Sequence, residues 1–87
     1  MAKIEKLIAR FLLRPADLTW DELIHVLSYF GYHELKKGKT GGSRRKFADE
    51  AKRMINLHKP HPGNIVKRYM IDQVIAVLKE NGNIKNE

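Results

Sequence analysis

The apolar period of this 87-residue chain changes at Gly31. Before that glycine, apolar residues recur every three to four positions; after it they alternate. Ile4, Leu7, Ile8, Phe11 and Leu12 keep the spacing of one helical face. This predicts a helix from Lys3 to Leu13, ended by Pro15, because the residue before a proline is pushed out of helical angles. Thr19-Trp20-Asp21-Glu22 reads as a capping box, in which hydroxyl and carboxylate each satisfy a free amide at a helix start. A second helix follows on Trp20, Leu23, Ile24, Leu27 and Phe30, with Gly31 as its left-handed stop. Strands are then expected over Tyr32–Lys37, with Leu35 facing inward, over Ser43–Asp49, and over Met54–His58. Gly38, Gly41 and Gly42 make a turn with Lys39 at its tip, and Glu50–Lys52 make a second turn. The stretch from Lys59 to Gly63 holds two prolines and cannot be regular. Tyr69, Met70, Val74, Val77 and Leu78, widened by Ile71 and Ile75, predict a last helix starting near Lys67 and capped by Gly82. The polar tail from Asn83 is expected to fray. Trp20, Tyr32 and Tyr69 are expected in the core, the tyrosines with their hydroxyls in water. The order defines an α+β fold, with three antiparallel strands burying one face under helices and leaving the other open.

A chain of this length makes one domain. It has no cysteine, so neither a disulfide nor a thiolate metal site is possible, which suits a reducing compartment. No run approaches the roughly 18 consecutive apolar residues of a membrane span. Charges interrupt the first 13 residues, so no signal peptide is read and a cytoplasmic location without membrane attachment is expected. The net charge is +7, and its distribution says more than its sum. Residues 36–68 hold eleven basic and two acidic side chains, a net +9, while the remainder carries −2. Solubility needs net charge but not segregation. A field this lopsided attracts polyanions and speeds their arrival.

Strand side chains alternate between faces. If Phe47 faces the core, Arg45 shares its side near the sheet end, while Arg44 and Lys46 face away. If Ile55 and Leu57 face the core, then Met54, Asn56 and His58 face away. One open face then carries Arg44, Lys46, Asn56 and His58: cations, an amide and an imidazole on one platform. A one-residue slip would invert this arrangement.

Three segments carry a resemblance to a known family: Phe30-Gly31-Tyr32, then Gly42-Ser43-Arg44-Arg45-Lys46-Phe47, then Leu57-His58-Lys59-Pro60-His61-Pro62-Gly63 ahead of the closing helix. Together they resemble the HicA toxins of bacterial toxin–antitoxin systems, over about Thr19 to Gly82. The resemblance implies a fold like a double-stranded-RNA-binding domain. It also implies mRNA interferase activity (ribosome-independent endonucleolytic hydrolysis of mRNA) and neutralisation by a HicB-type antitoxin. Residues 1–15 lie outside the family pattern and read as an N-terminal helical extension of a domain over 16–87.

The family pattern places a histidine, its expected catalytic residue, where this chain has Arg44. Cleavage by attack of the 2′-hydroxyl needs a group that takes a proton, which a guanidinium cannot do. Arg44 can instead grip a phosphate and stabilise transition-state charge. His58, on the same predicted face, is the substitute by position. Arg44 and His58 are therefore the candidate catalytic residues. Lys39, Ser43, Arg44, Arg45, Lys46, Lys59, His61, Lys67 and Arg68 are the candidate RNA-binding residues. His25 and His33 read as structural. No metal site and no cofactor are expected. Three functions stay open: an RNA-cleaving toxin, an RNA-binding module without catalysis, and a protein-interaction domain, acting as a monomer or small homo-oligomer.

Overall fold

A computed structural model describes residues 3–35, 44–60 and 63–84. Among the described residues six elements follow one another: α1 (Lys3–Leu12), α2 (Trp20–Tyr29), β1 (His33–Glu34), β2 (Arg44–Ala48), β3 (Met54–His58) and α3 (Arg68–Glu80). The sheet is antiparallel throughout, in the order β1-β2-β3. The expected α+β fold is the observed one. The glycine turn with Lys39, the Lys36–Lys37 end of the expected first strand, Ser43, His61 and Pro62 lie outside the described residues.

The local signals form as read. Thr19 caps α2: its hydroxyl accepts from the Glu22 amide at 3.2 Å, and Glu22 Oε1 accepts from the Thr19 amide at 2.9 Å. Gly31 follows α2 at φ +92° and Gly82 follows α3 at φ +80°, the left-handed conformation that glycine adopts without steric cost. α1 stops at Leu12, three residues before Pro15.

The core lies between the helices and one face of the sheet. Phe11 from α1 joins Trp20, Leu23, Val26 and Leu27 from α2, Phe47, Ile55 and Leu57 from the sheet, and Met70, Ile71, Val74 and Leu78 from α3. The Trp20 and Phe47 rings meet edge to face, with centroids 6.0 Å apart. Leu18 and Val66 are fully buried connectors. They hold two chain segments together, since Val66 N–H donates to the Leu18 carbonyl and Trp20 N–H to the Asn64 carbonyl, each at 2.7 Å. Tyr32 is buried, and its hydroxyl accepts from Asn81 Nδ2 and donates to Asn83 Oδ1, tying the region after α3 back to the entry of the sheet.

The Tyr32 hydroxyl, expected in water, is thus held by two asparagines, and three expected burials fail. Leu35 is exposed. Glu34 pairs with Phe47, so the even-numbered residues of this segment, Tyr32 and Glu34, take the helix side and Leu35 takes the open side. Tyr69 is 63% exposed, because it shares its helix face with the exposed Asp72, Gln73 and Ala76. Leu12 is also exposed, at the end of α1, where it lines an open depression with Asp72, Ile75 and Ala76 of α3.

Phe11→Ala is expected to cost about 3–5 kcal/mol in urea unfolding, the range for an aromatic removed from a packed core. A value near zero would mean that α1 is not part of that core. Acid is expected to weaken the fold. The Glu22 carboxyl is held below its ordinary range, chiefly by the Thr19 amide and then by Arg10, against the opposing effect of burial. Its contribution is complete above the unfolded-state value of about 4.3 and is lost as pH falls through the lower folded value. Melting curves of Glu22→Gln and wild type should therefore differ at pH 6 and converge in strong acid.

Candidate functional site

The geometry of the open sheet face is set by the pairing of β2 with β3. Arg44 lies directly opposite His58, Lys46 opposite Asn56, and Ala48 opposite Met54. Phe47 and Ile55 pair on the other side and are buried, as is Leu57 opposite Arg45. The open face therefore carries Arg44, Lys46, Asn56 and His58 together, all exposed. On β1 the exposed His33 pairs with Ala48, and Leu35 N–H donates to the Lys46 carbonyl at 2.8 Å. A small apolar strip of Leu35, Ala48 and Met54 thus borders the cations. His33 belongs to this face, and His25 is exposed on α2.

This register is held by the turn between the strands. Asp49 accepts from the Arg53 amide at 2.8 Å and from Arg53 Nε at 3.0 Å. Arg53 also donates to the Asn81 carbonyl at the end of α3. Burial raises the Asp49 carboxyl, but the Arg53 hydrogen bonds and charge together outweigh it and hold the group below its ordinary range. Lys52 closes the turn at φ +66°, a left-handed conformation that costs a non-glycine residue energy.

The other predicted residues divide. Arg45 is on the helix side, ion-paired with Glu34 at 3.2 Å and donating to the Arg44 carbonyl at 3.1 Å. Arg68 donates to the Arg14 carbonyl at 3.0 Å, at the end of α1. Lys59 and Lys67 are exposed and, with His58, line a depression of about 550 Å³. Pro60, Gly63, Ile65, Tyr69 and Met70 complete its described lining. Sequence reasoning missed Ile65 and Tyr69 here. The signal for Tyr69 was available in the polar residues at its i+3 and i+4 positions. Lys39, Ser43 and His61 lie outside the described residues. Among the described residues, no three His, Asp or Glu side chains converge as metal ligands. No helix there is long and apolar enough to cross a membrane.

An open three-stranded antiparallel sheet backed by helices, in the order α-β-β-β-α after a leading helix, is a fold like that of the double-stranded-RNA-binding domains. The family model of the HicA toxin of bacterial toxin–antitoxin systems matches residues 20–82, well over half of the chain, and the chain belongs to that family. No curated protein and no solved structure matches it. The match starts at the first residue of α2, so α1 lies outside it.

Asp49→Ala should lower the melting temperature by several degrees and speed amide exchange across β2 and β3. Lys52→Gly should raise that temperature, because glycine relieves the left-handed strain at this position. Equal melting of Asp49→Ala and wild type would mean that the turn does not hold the register.

Proposed function

We propose that this chain is a toxin that binds mRNA on the open face of its sheet and cleaves it, and that a HicB-type antitoxin neutralises it in the cytoplasm. The observation that carries the reading is the cross-strand pair of Arg44 and His58, with Lys46 beside it on the same exposed face. Membership of a toxin family supplies the biological setting.

The chemistry follows from what the two side chains can do. His58 accepts the proton of a ribose 2′-hydroxyl as the oxygen attacks the adjacent phosphorus. Arg44 and Lys46 offset the charge that gathers on the phosphate oxygens. The bond from phosphorus to the 5′-oxygen breaks as the new one forms, that oxygen takes its proton from water, and the upstream fragment ends in a 2′,3′-cyclic phosphate. No metal or cofactor is needed in this scheme. Lys59 and Lys67 extend the cationic surface along the bound strand. Lys39, Ser43 and His61 belong to the same proposed surface by sequence. Arg45 and Arg68 serve it less directly, since both hold partners within the fold.

A second reading is favoured by Arg44 itself, which stands where the family pattern has histidine: an RNA-binding module that does not cut. Purified protein incubated with mRNA in chelator separates the two. Under the first reading, fragments with cyclic phosphate ends appear, and His58→Ala slows them about 10²–10⁴-fold, the usual contribution of a general base. Arg44→Ala is expected to slow them as well. Binding with a steep, linear fall of log affinity against log salt, but with no fragments, would leave the second reading and remove the first. A cleavage rate unchanged in both variants would reject the assignment of the pair.

A further inference from the structure

The depression beside His58 is built differently from the flat sheet face. Its described lining comes from residues 58–60, as the chain leaves β3, and from the return into α3 after Gly63. That return is fixed by the hydrogen bonds joining residues 18–20 to residues 64–66. Tyr69 stands in the first turn of α3 with 63% of its surface exposed, and Ile65 beside it is 43% exposed. Met70, which also lines the depression, is almost wholly buried and offers an apolar base to it. Lys59, Lys67 and His58 contribute the polar side, and no carboxylate is among the described lining residues.

We propose that this depression takes one unpaired nucleotide of an RNA strand, its base stacked on Tyr69 and its phosphates held by Lys59 and Lys67. The proposal rests on the reading of the chain as an RNA-binding protein and deepens it by specifying the form of the RNA. An exposed aromatic ring with an aliphatic neighbour suits the face of a base, and flanking lysines suit the charge next to it. A volume of about 550 Å³ falls within the roughly 300–1,000 Å³ of small-ligand pockets. A base inside a duplex has both faces covered by its neighbours and cannot stack on a side chain. The site therefore selects single-stranded RNA, although the fold resembles that of duplex binders. His58 lines the same depression and pairs with Arg44 across the strands. The stacked nucleotide then lies next to the bond presented to that pair, and Tyr69 acts as a substrate-binding residue.

The test uses a fluorescein-labelled ten-nucleotide RNA, alone and annealed to its complement, with anisotropy measured at several salt concentrations. Tyr69→Ala and Tyr69→Leu are expected to weaken binding of the single strand about 10–100-fold, the range for loss of one stacked base. Tyr69→Trp should retain it. The salt slope should stay the same in all three variants, because no charge is removed. Binding of the duplex should be weak and indifferent to Tyr69. Single-strand binding that survives both Tyr69→Ala and Tyr69→Leu would overturn this inference and leave the RNA-binding reading standing. So would an equal loss on the duplex. Wild-type protein that binds neither form would overturn both.

Discussion

The open face of the sheet depends on the alignment of β2 with β3. The pair is only five residues long on each strand, and its side chains alternate strictly between two environments. Phe47, Ile55 and Leu57 are buried on one side, and Arg44, Lys46, Asn56 and His58 are exposed on the other. A slip of one residue in the alternation would put two cations into the core and a phenylalanine into water. Burial of unpaired charge is among the largest penalties a fold can meet. The apolar packing therefore specifies where the cations stand. The Asp49–Arg53 turn adds a second constraint from the far end of the same hairpin, and the contact of Arg53 with the Asn81 carbonyl fastens that turn to α3.

The basic residues fall into two groups with different work. Arg10 bridges Asp17 and Glu22, Arg14 pairs with Asp72, Arg45 with Glu34, and Arg53 with Asp49. Arg68 reaches a backbone carbonyl. These are the planar, multi-donor side chains that satisfy carboxylates and carbonyls in fixed geometry. Lys46, Lys59 and Lys67 are exposed lysines, whose compact charges on flexible stems suit a mobile polyanion better than a fixed internal partner. Five of the ten acidic residues are held by arginines within the fold. The positive charge over the open face and the neighbouring depression comes from residues such as Lys46, Lys59 and Lys67, which stand exposed there.

Much of this was legible in the sequence because local rules and tertiary packing agree. The Thr19–Glu22 box, Gly31 and Gly82 mark the helix ends through backbone chemistry that needs no distant partner. The alternation of residues 44–48 and 54–58 gave the face assignment, and the buried set confirms it. Leu35 was misread because it is the one aliphatic residue in its segment, whereas Tyr32 had already taken the inward position. Tyr69 was misread as part of the apolar set with Met70, Val74, Val77 and Leu78. Its outward neighbours Asp72 and Gln73 carried the better signal. The depression itself could not be read, since it depends on the bridge between residues 18–20 and 64–66, which are far apart in the chain. The same holds for the Arg14–Asp72 and Arg10–Glu22 pairs. Their partners are brought together by the fold and leave no trace in local spacing.

The leading helix shows how a segment outside the family match can still shape the site. α1 contributes Phe11, which is fully buried in the common core. Its C-terminal end meets α3 twice: Arg14 pairs with Asp72, and the Arg14 carbonyl accepts from Arg68. Arg68 and Asp72 bracket the turn that carries Tyr69. Exposed ion pairs of this kind add little to stability, and their consequence here is directional. Holding both ends of that turn restrains the start of α3 relative to the body of the protein. The same turn forms one wall of the depression, whose opposite wall begins at His58. The placement of Tyr69 relative to His58 therefore depends on the hairpin on one side and on the Arg14 contacts that restrain the start of α3 on the other. A substitution that breaks the Arg14 contacts and leaves the sheet intact would loosen that wall of the depression while keeping the open face.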